Sequence, residues 1–95
     1  MGLREDPWGD DPTFDWDDDN LEEIWAHKVR DFEAEECFEN EHVTIPHKKA
    51  RSEPAKYGDR YMVRGTTDGG RKLVIIVQYL GANWVRPITA WHDSK

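Results

Sequence analysis

The clearest hydrophobic pattern lies in the C-terminal half, where Leu73, Ile75, Val77 and Tyr79 alternate with Val74 and Ile76. Apolar residues on both phases of a two-residue period predict a strand over residues 73–79 that is covered on both faces. Residues 59–66 and 84–91 predict two less apolar strands beside it. Asp68-Gly69-Gly70 and Gly81-Ala82-Asn83 supply the residues that tolerate positive φ in tight hairpins, so the three segments are expected to form an antiparallel meander.

Upstream, the alternation in Phe14-Asp15-Trp16-Asp17 places both rings on one face of a short strand. With Asn20 as N-cap, Glu23 falls at the capping-box position of a first helix. Leu21, Ile24, Trp25 and Val29 recur at three- and four-residue steps, which predicts a helix of about ten residues with one apolar stripe on the sheet. His27 and Lys28 fall in its last turn, where the helix dipole favours cations. Asp31 can cap a second helix over residues 32–38, with Ala34, Cys37 and Phe38 inward and Glu33, Glu35, Glu36 and Glu39 outward. Residues 43–45 predict one more strand, ended by Pro46. The order predicts an α+β fold with two short N-terminal helices packed on one face of an antiparallel β-sheet. No C-terminal helix is expected after the last strand.

Residues 1–13 mix Gly2, Pro7, Gly9 and Pro12 with carboxylates and are expected to form a mobile acidic tail on a single domain of residues 14–95. On the strand at residues 60–66, alternation separates Tyr61 and Val63 from Arg60, Met62, Arg64 and Thr66. On the last strand it groups Arg86 with Ile88 and Ala90, and Val85 with Pro87, Thr89 and Trp91. Pro87 cannot donate to a ladder, so that strand is expected at an edge or bulged. Which of its faces joins Arg60 and Arg64 stays open.

Charge changes the picture. The formal net charge is −7, yet 16 of the 20 acidic residues precede position 42. Residues 42–95 carry ten basic against four acidic side chains, a net of +6, and include the loop bearing His47, Lys48, Lys49, Arg51 and Lys56. Such a split suits a polyanion-binding half beside an acidic half that repels or masks. Cys37 is the single cysteine, which excludes an intramolecular disulfide, and the four histidines lie at spacings that match no metal site. The longest strictly apolar run is far too short to span a bilayer, and a soluble, cytoplasmic protein without membrane contact is expected.

The segments Asn20-Leu-Glu-Glu-Ile-Trp-Ala-His27-Lys-Val29, Phe32-Glu-Ala-Glu-Glu-Cys-Phe38-Glu-Asn, Asp59-Arg-Tyr-Met-Val-Arg-Gly65-Thr, Lys72-Leu-Val-Ile-Ile-Val and Val85-Arg-Pro-Ile-Thr-Ala90 together resemble BrnT-type toxins, the ribonuclease halves of bacterial type II toxin–antitoxin pairs. The resemblance implies a RelE-like fold and RNA cleavage without cofactor or metal, by attack of a 2′-hydroxyl on the adjacent phosphate. It further implies an RNA substrate and a cognate antitoxin partner. Arg64 and Arg86 are then the candidates for phosphate contacts, since a guanidinium offers phosphate a planar fork of donors. His27 and His92 are the candidate proton carriers. Arg60, Lys48 and Lys49 are candidate RNA contacts, with Tyr61, Trp84 or Trp91 stacking on a base. The chain departs from the family pattern at Trp91-His92, where a basic residue is usual. A non-catalytic protein-binding module of the same family is the alternative, and an acidic segment at residues 5–19 folded over the basic sheet is a third expectation.

Overall fold

The computed structural model describes residues 6–93, which build a five-stranded sheet in the order β1-β5-β4-β3-β2. Its strands are β1 (Thr13–Phe14), β2 (His42–Pro46), β3 (Arg60–Thr66), β4 (Lys72–Gly81) and β5 (Trp84–His92). The helices are α1 (Asp18–Trp25), α2 (Asp31–Glu39) and a single turn, α3 (Pro54–Tyr57). The α+β class and the meander of β3, β4 and β5 match the sequence pattern. The sheet is mixed rather than purely antiparallel, because the two-residue β1 pairs parallel with β5.

The central strand behaves as its pattern dictates. Leu73, Ile75 and Val77 are fully buried against α1 and α2, with Val63 of β3 and Val85 and Ala90 of β5 beside them. Val74 is buried on the face opposite α1 and α2; Arg64 and Trp91 on the neighbouring strands flank it. The turn between β4 and β5 runs through Gly81, Ala82 and Asn83, all at positive φ, which gives the tight reversal its twist.

Helix α1 starts earlier and ends sooner than its apolar stripe suggests. Asp17, not Asn20, is the N-cap: its side chain accepts the Asn20 N–H, and the Asn20 side chain accepts the Asp17 N–H. Asn20 therefore sits inside the helix, buried, donating to the carbonyls of Asp15 and Pro87 at 2.9 Å each. At the other end Lys28 adopts φ 63° and donates to Trp25 C=O, while Val29 donates to Ile24 C=O. This paired closure stops the helix before His27 and Lys28, which consequently do not cap its dipole. Trp25 turns outward, 44% exposed, with Lys28 and Arg30 over its ring. In α2, by contrast, Ala34, Cys37 and Phe38 point inward as spaced.

The acidic lead-in expected to be mobile divides into two parts. Residues 1–5 lie outside the described residues. From Asp6 onward the chain is packed: Trp8 is only 2% exposed and meets Phe38, Tyr61 and Tyr79 with ring centroids 5.6 to 6.2 Å apart. Asp6 secures this strap through its carboxylate, 2.8 Å from His42 Nε2. A large indole inside the core outweighs the Pro, Gly and Asp residues around it.

Candidate functional site

The register decides what the sequence left open. Val74 of β4 lies between Arg64 of β3 and Trp91 of β5, and Gln78 lies between Arg60 and Arg86. Cross-strand partners share a face, so Arg60, Arg64 and Trp91 stand on the side of the sheet away from α1 and α2, and Arg86 leaves β5 on that side before reaching the N-terminus of α1. Simple alternation had put Arg86 and Trp91 on opposite faces. A bulge at Ile88 resets the phase: Val77 pairs with Pro87, but Ile76 pairs with Thr89. Pro87, with no N–H to donate, stands at this irregularity.

The face is therefore three rows. Ile45, Met62, Ile76 and Thr89 form a largely apolar middle row. On one side of it run Val43, Arg64, Val74 and Trp91, and on the other Arg60, Gln78 and Arg86. At about 4.8 Å between strands, Arg60 and Arg86 have Cα atoms roughly 10 Å apart.

Around Arg64 the surface forms an open depression of about 270 Å³, lined by Met62, Arg64, Val74, Trp91, His92 and Asp93. It brings together Arg64 and Trp91, two of the residues singled out from the sequence; His92 also lines it, but as the cross-strand partner of the buried Leu73 its side chain leaves β5 on the helix side. Arg64 is held by Asp93 through two parallel bonds, Nε to Oδ2 and Nη2 to Oδ1, each 3.1 Å. His92 is held by Arg71, whose Nη2 donates to the imidazole and to Lys28 C=O, while its Nη1 pairs with Glu33. The depression thus combines a guanidinium, a carboxylate and a half-exposed indole, while the imidazole of His92 is held by Arg71 toward α1 and α2.

Arg86 occupies a second depression of about 350 Å³ with Asp19, Asn20, Glu23, Pro87, Ile88 and Thr89. It pairs with Asp17 at 2.8 Å and with Asp15 at 3.3 Å. The Arg86 guanidinium and the Asn20 N–H hold the Asp17 carboxyl below its usual range, and Asp17 in turn raises Arg86. Of the acidic lead-in, Asp15 and Asp17 meet this one arginine.

The remaining candidates lie elsewhere. His27 Nε2 faces Glu23 Oε2 at 3.4 Å and lines neither depression. Tyr61, expected to stack on a base, packs edge-on against Trp8 in the core. Lys48 and Lys49 lie in the turn after β2, where Lys49 approaches the Tyr57 ring at 5.5 Å. Asp93, Arg71 and Tyr57 were not singled out by sequence. Asp93 and Arg71 are recognisable only once the strands are in register, whereas Tyr57 stands among the densest run of cations in the chain.

No family model, curated protein or solved structure matches this chain. Among the described residues, no group of three or more His, Cys, Asp or Glu side chains could hold a metal ion, and no helix is long and apolar enough to cross a membrane.

Proposed function

We propose that this chain is a BrnT-like endoribonuclease of a type II toxin–antitoxin pair, acting in the cytoplasm and neutralised by a cognate antitoxin. The observation that supports this reading best is the convergence of Arg64 and Trp91 in one depression on the face of the sheet away from α1 and α2, with His92 adjoining it at the end of β5. Their chemistry suits transesterification of RNA. Once its imidazole is released from Arg71 and turned to this face, His92 takes the proton of a 2′-hydroxyl, the O2′–P bond forms, the P–O5′ bond breaks, and O5′ leaves with the proton that His92 returns. Arg64 bears the negative charge that grows on the non-bridging oxygens, and Trp91 stacks on the adjoining base.

In this reading Asp93 occupies the phosphate seat in the free protein. The two non-bridging oxygens of a phosphodiester present the same pair of acceptors as a carboxylate, so substrate exchanges with Asp93 for the Arg64 fork. In the free protein Arg71 donates to the imidazole of His92 and occupies its acceptor nitrogen, so His92 acts as base only after leaving Arg71. Arg86, two strands away, contacts the RNA beyond the scissile bond and leaves Asp15 and Asp17 to do so.

The test is cleavage of a mixed RNA substrate in EDTA by the purified chain beside Arg64→Ala and His92→Ala. Cleavage that falls about 100-fold or more in each variant supports the assignment. Absence of cleavage by the unmodified, folded chain points to the second reading, a protein-binding module. Exposed apolar residues favour that alternative, since Val43, Ile45 and Trp91 are exposed on the same face.

A further inference from the structure

The chain carries an excess of acid, and its sheet arginines are captured by it: Arg64 by Asp93, Arg71 by Glu33, Arg86 by Asp15 and Asp17. The segment from His47 to Arg60 is the exception. Lys48, Lys49, Arg51, Lys56 and Arg60 have no carboxylate within ion-pair distance among the described residues, although Glu53 and Asp59 belong to the same segment. Asp59 is turned to Gln78, whose amide donates to it at 2.9 Å.

These cations are gathered rather than dispersed. Tyr57, at the end of α3, is the centre: Lys49 Nζ, Lys56 Nζ and the Arg60 guanidinium lie 5.3 to 5.5 Å from its ring centroid. His47 stacks on the same ring, 4.6 Å between centroids and 18° between planes. The negative face of the ring draws the cations in, and their mutual repulsion is left without a counter-charge. Arg60 Nε is also buried without a hydrogen-bond partner, so the guanidinium is partly desolvated and uncompensated. A polyanion laid across the cluster supplies what is missing.

We infer that the surface around Tyr57, formed by Lys49, Lys56 and Arg60 with Lys48 next to Lys49 in the chain, is a docking site for the phosphate backbone of single-stranded RNA, separate from the Arg64 depression. This rests on the ribonuclease reading and extends it. Arg60 and Arg64 are four residues apart on one face of β3, roughly 13 Å, so one strand of a few nucleotides reaches both. Because His47 already covers the Tyr57 ring, the site reads charge and not bases. It therefore contributes affinity without sequence preference.

The experiment is fluorescence polarisation of a labelled, mixed-sequence 2′-deoxy oligonucleotide, which cannot be cleaved by 2′-hydroxyl attack, titrated with the full chain from 50 to about 300 mM salt. The triple variant Lys48→Ala, Lys49→Ala, Lys56→Ala is expected to bind about tenfold more weakly or worse, with the slope of log affinity against log salt reduced by about 2. The corresponding triple Lys→Arg variant is expected to retain both. Unchanged affinity and slope in the alanine variant overturn the inference. Binding to phosphatidylserine vesicles, lost in that variant, with none to the oligonucleotide also overturns it. Oligonucleotide binding by a chain that cleaves no RNA sinks the ribonuclease reading alone and leaves the docking site standing.

Discussion

Arg64 grips Asp93 through the same two-pronged geometry with which a guanidinium grips phosphate, Nε and Nη2 each 3.1 Å from a separate carboxylate oxygen. The pair is half exposed on the arginine side, so it stabilises the fold by only about 0.2–1 kcal/mol. Competition for Arg64 is its larger consequence. Asp93→Asn is expected to leave the melting temperature nearly unchanged and to tighten oligonucleotide binding about twofold to fivefold, the worth of the released pair. Titration by fluorescence polarisation at low salt checks this, and weaker binding in the variant would place Asp93 among the groups that hold the ligand.

Trp8 is the anchor of the lead-in. Its indole is buried against Phe38, Tyr61 and Tyr79, and loss of a core Trp costs about 3–5 kcal/mol. For a domain of this size that lowers the melting temperature by more than about 10 °C. Trp8→Ala, followed by calorimetry or circular dichroism, should show the full loss. A shift below about 2 °C would mean that the strap from Asp6 to Pro12 detaches in solution.

Acid should loosen the junction between α1 and β5. Asp17 caps α1 and binds Arg86, and its carboxyl lies below the ordinary range because both partners favour the charged form. A carboxyl depressed in the folded state contributes stability above its unfolded value, and that contribution disappears as pH falls through the folded one. Unfolding midpoints in urea should thus decline below the usual carboxylate range. Asp17→Asn, which keeps a capping side chain, should flatten part of that decline. Identical pH profiles for the two proteins would remove Asp17 from the account.

How far the sequence reached depends on whether local spacing or long-range register set each feature. The central strand, the inward set Ala34, Cys37 and Phe38, and the turn through Gly81 and Asn83 follow from local chemistry and were legible. The N-cap of α1 was misplaced by three residues because Asp17, Asp18, Asp19 and Asn20 are all capping residues, and only tertiary bonds from Asn20 to Pro87 decide among them. Trp8 carried no periodic signal, since a single indole inserted from a loop has none. In the candidate site, Arg64 and His92 were legible as residue types. That Arg64 shares a face with Trp91 was not, because Pro87 announced an irregularity in β5 without revealing that the phase would reset at Ile88.

Cys37 should be inert in the folded protein. It is fully buried, and that burial, with Glu36 and Glu33 nearby, pushes its thiol up to about 12, so the thiolate is scarce at neutral pH. Reaction with a maleimide is expected only at the rate of global unfolding and should accelerate steeply in urea. Rapid labelling without denaturant would show that α2 opens away from β3.

Gly65 tests the same contact from the other side. β3 passes so close to α2 that a Cβ on Gly65 would lie 2.9 Å from both Cys37 Cβ and the Cys37 carbonyl oxygen. Backbone cannot yield as the end of a flexible side chain does, so Gly65→Ala must push the helix from the sheet. Overpacking of this kind costs about 1–3 kcal/mol. The displacement also reaches the site, because Arg64 is the adjacent residue and α2 supplies Glu33, the partner of Arg71. Gly65→Ala should therefore lower the melting temperature by about 4–20 °C and speed maleimide labelling of Cys37. Stability equal to the parent would mean that β3 and α2 are farther apart than this packing requires, whereas loss of stability with Cys37 still protected would move the strain into β3 itself.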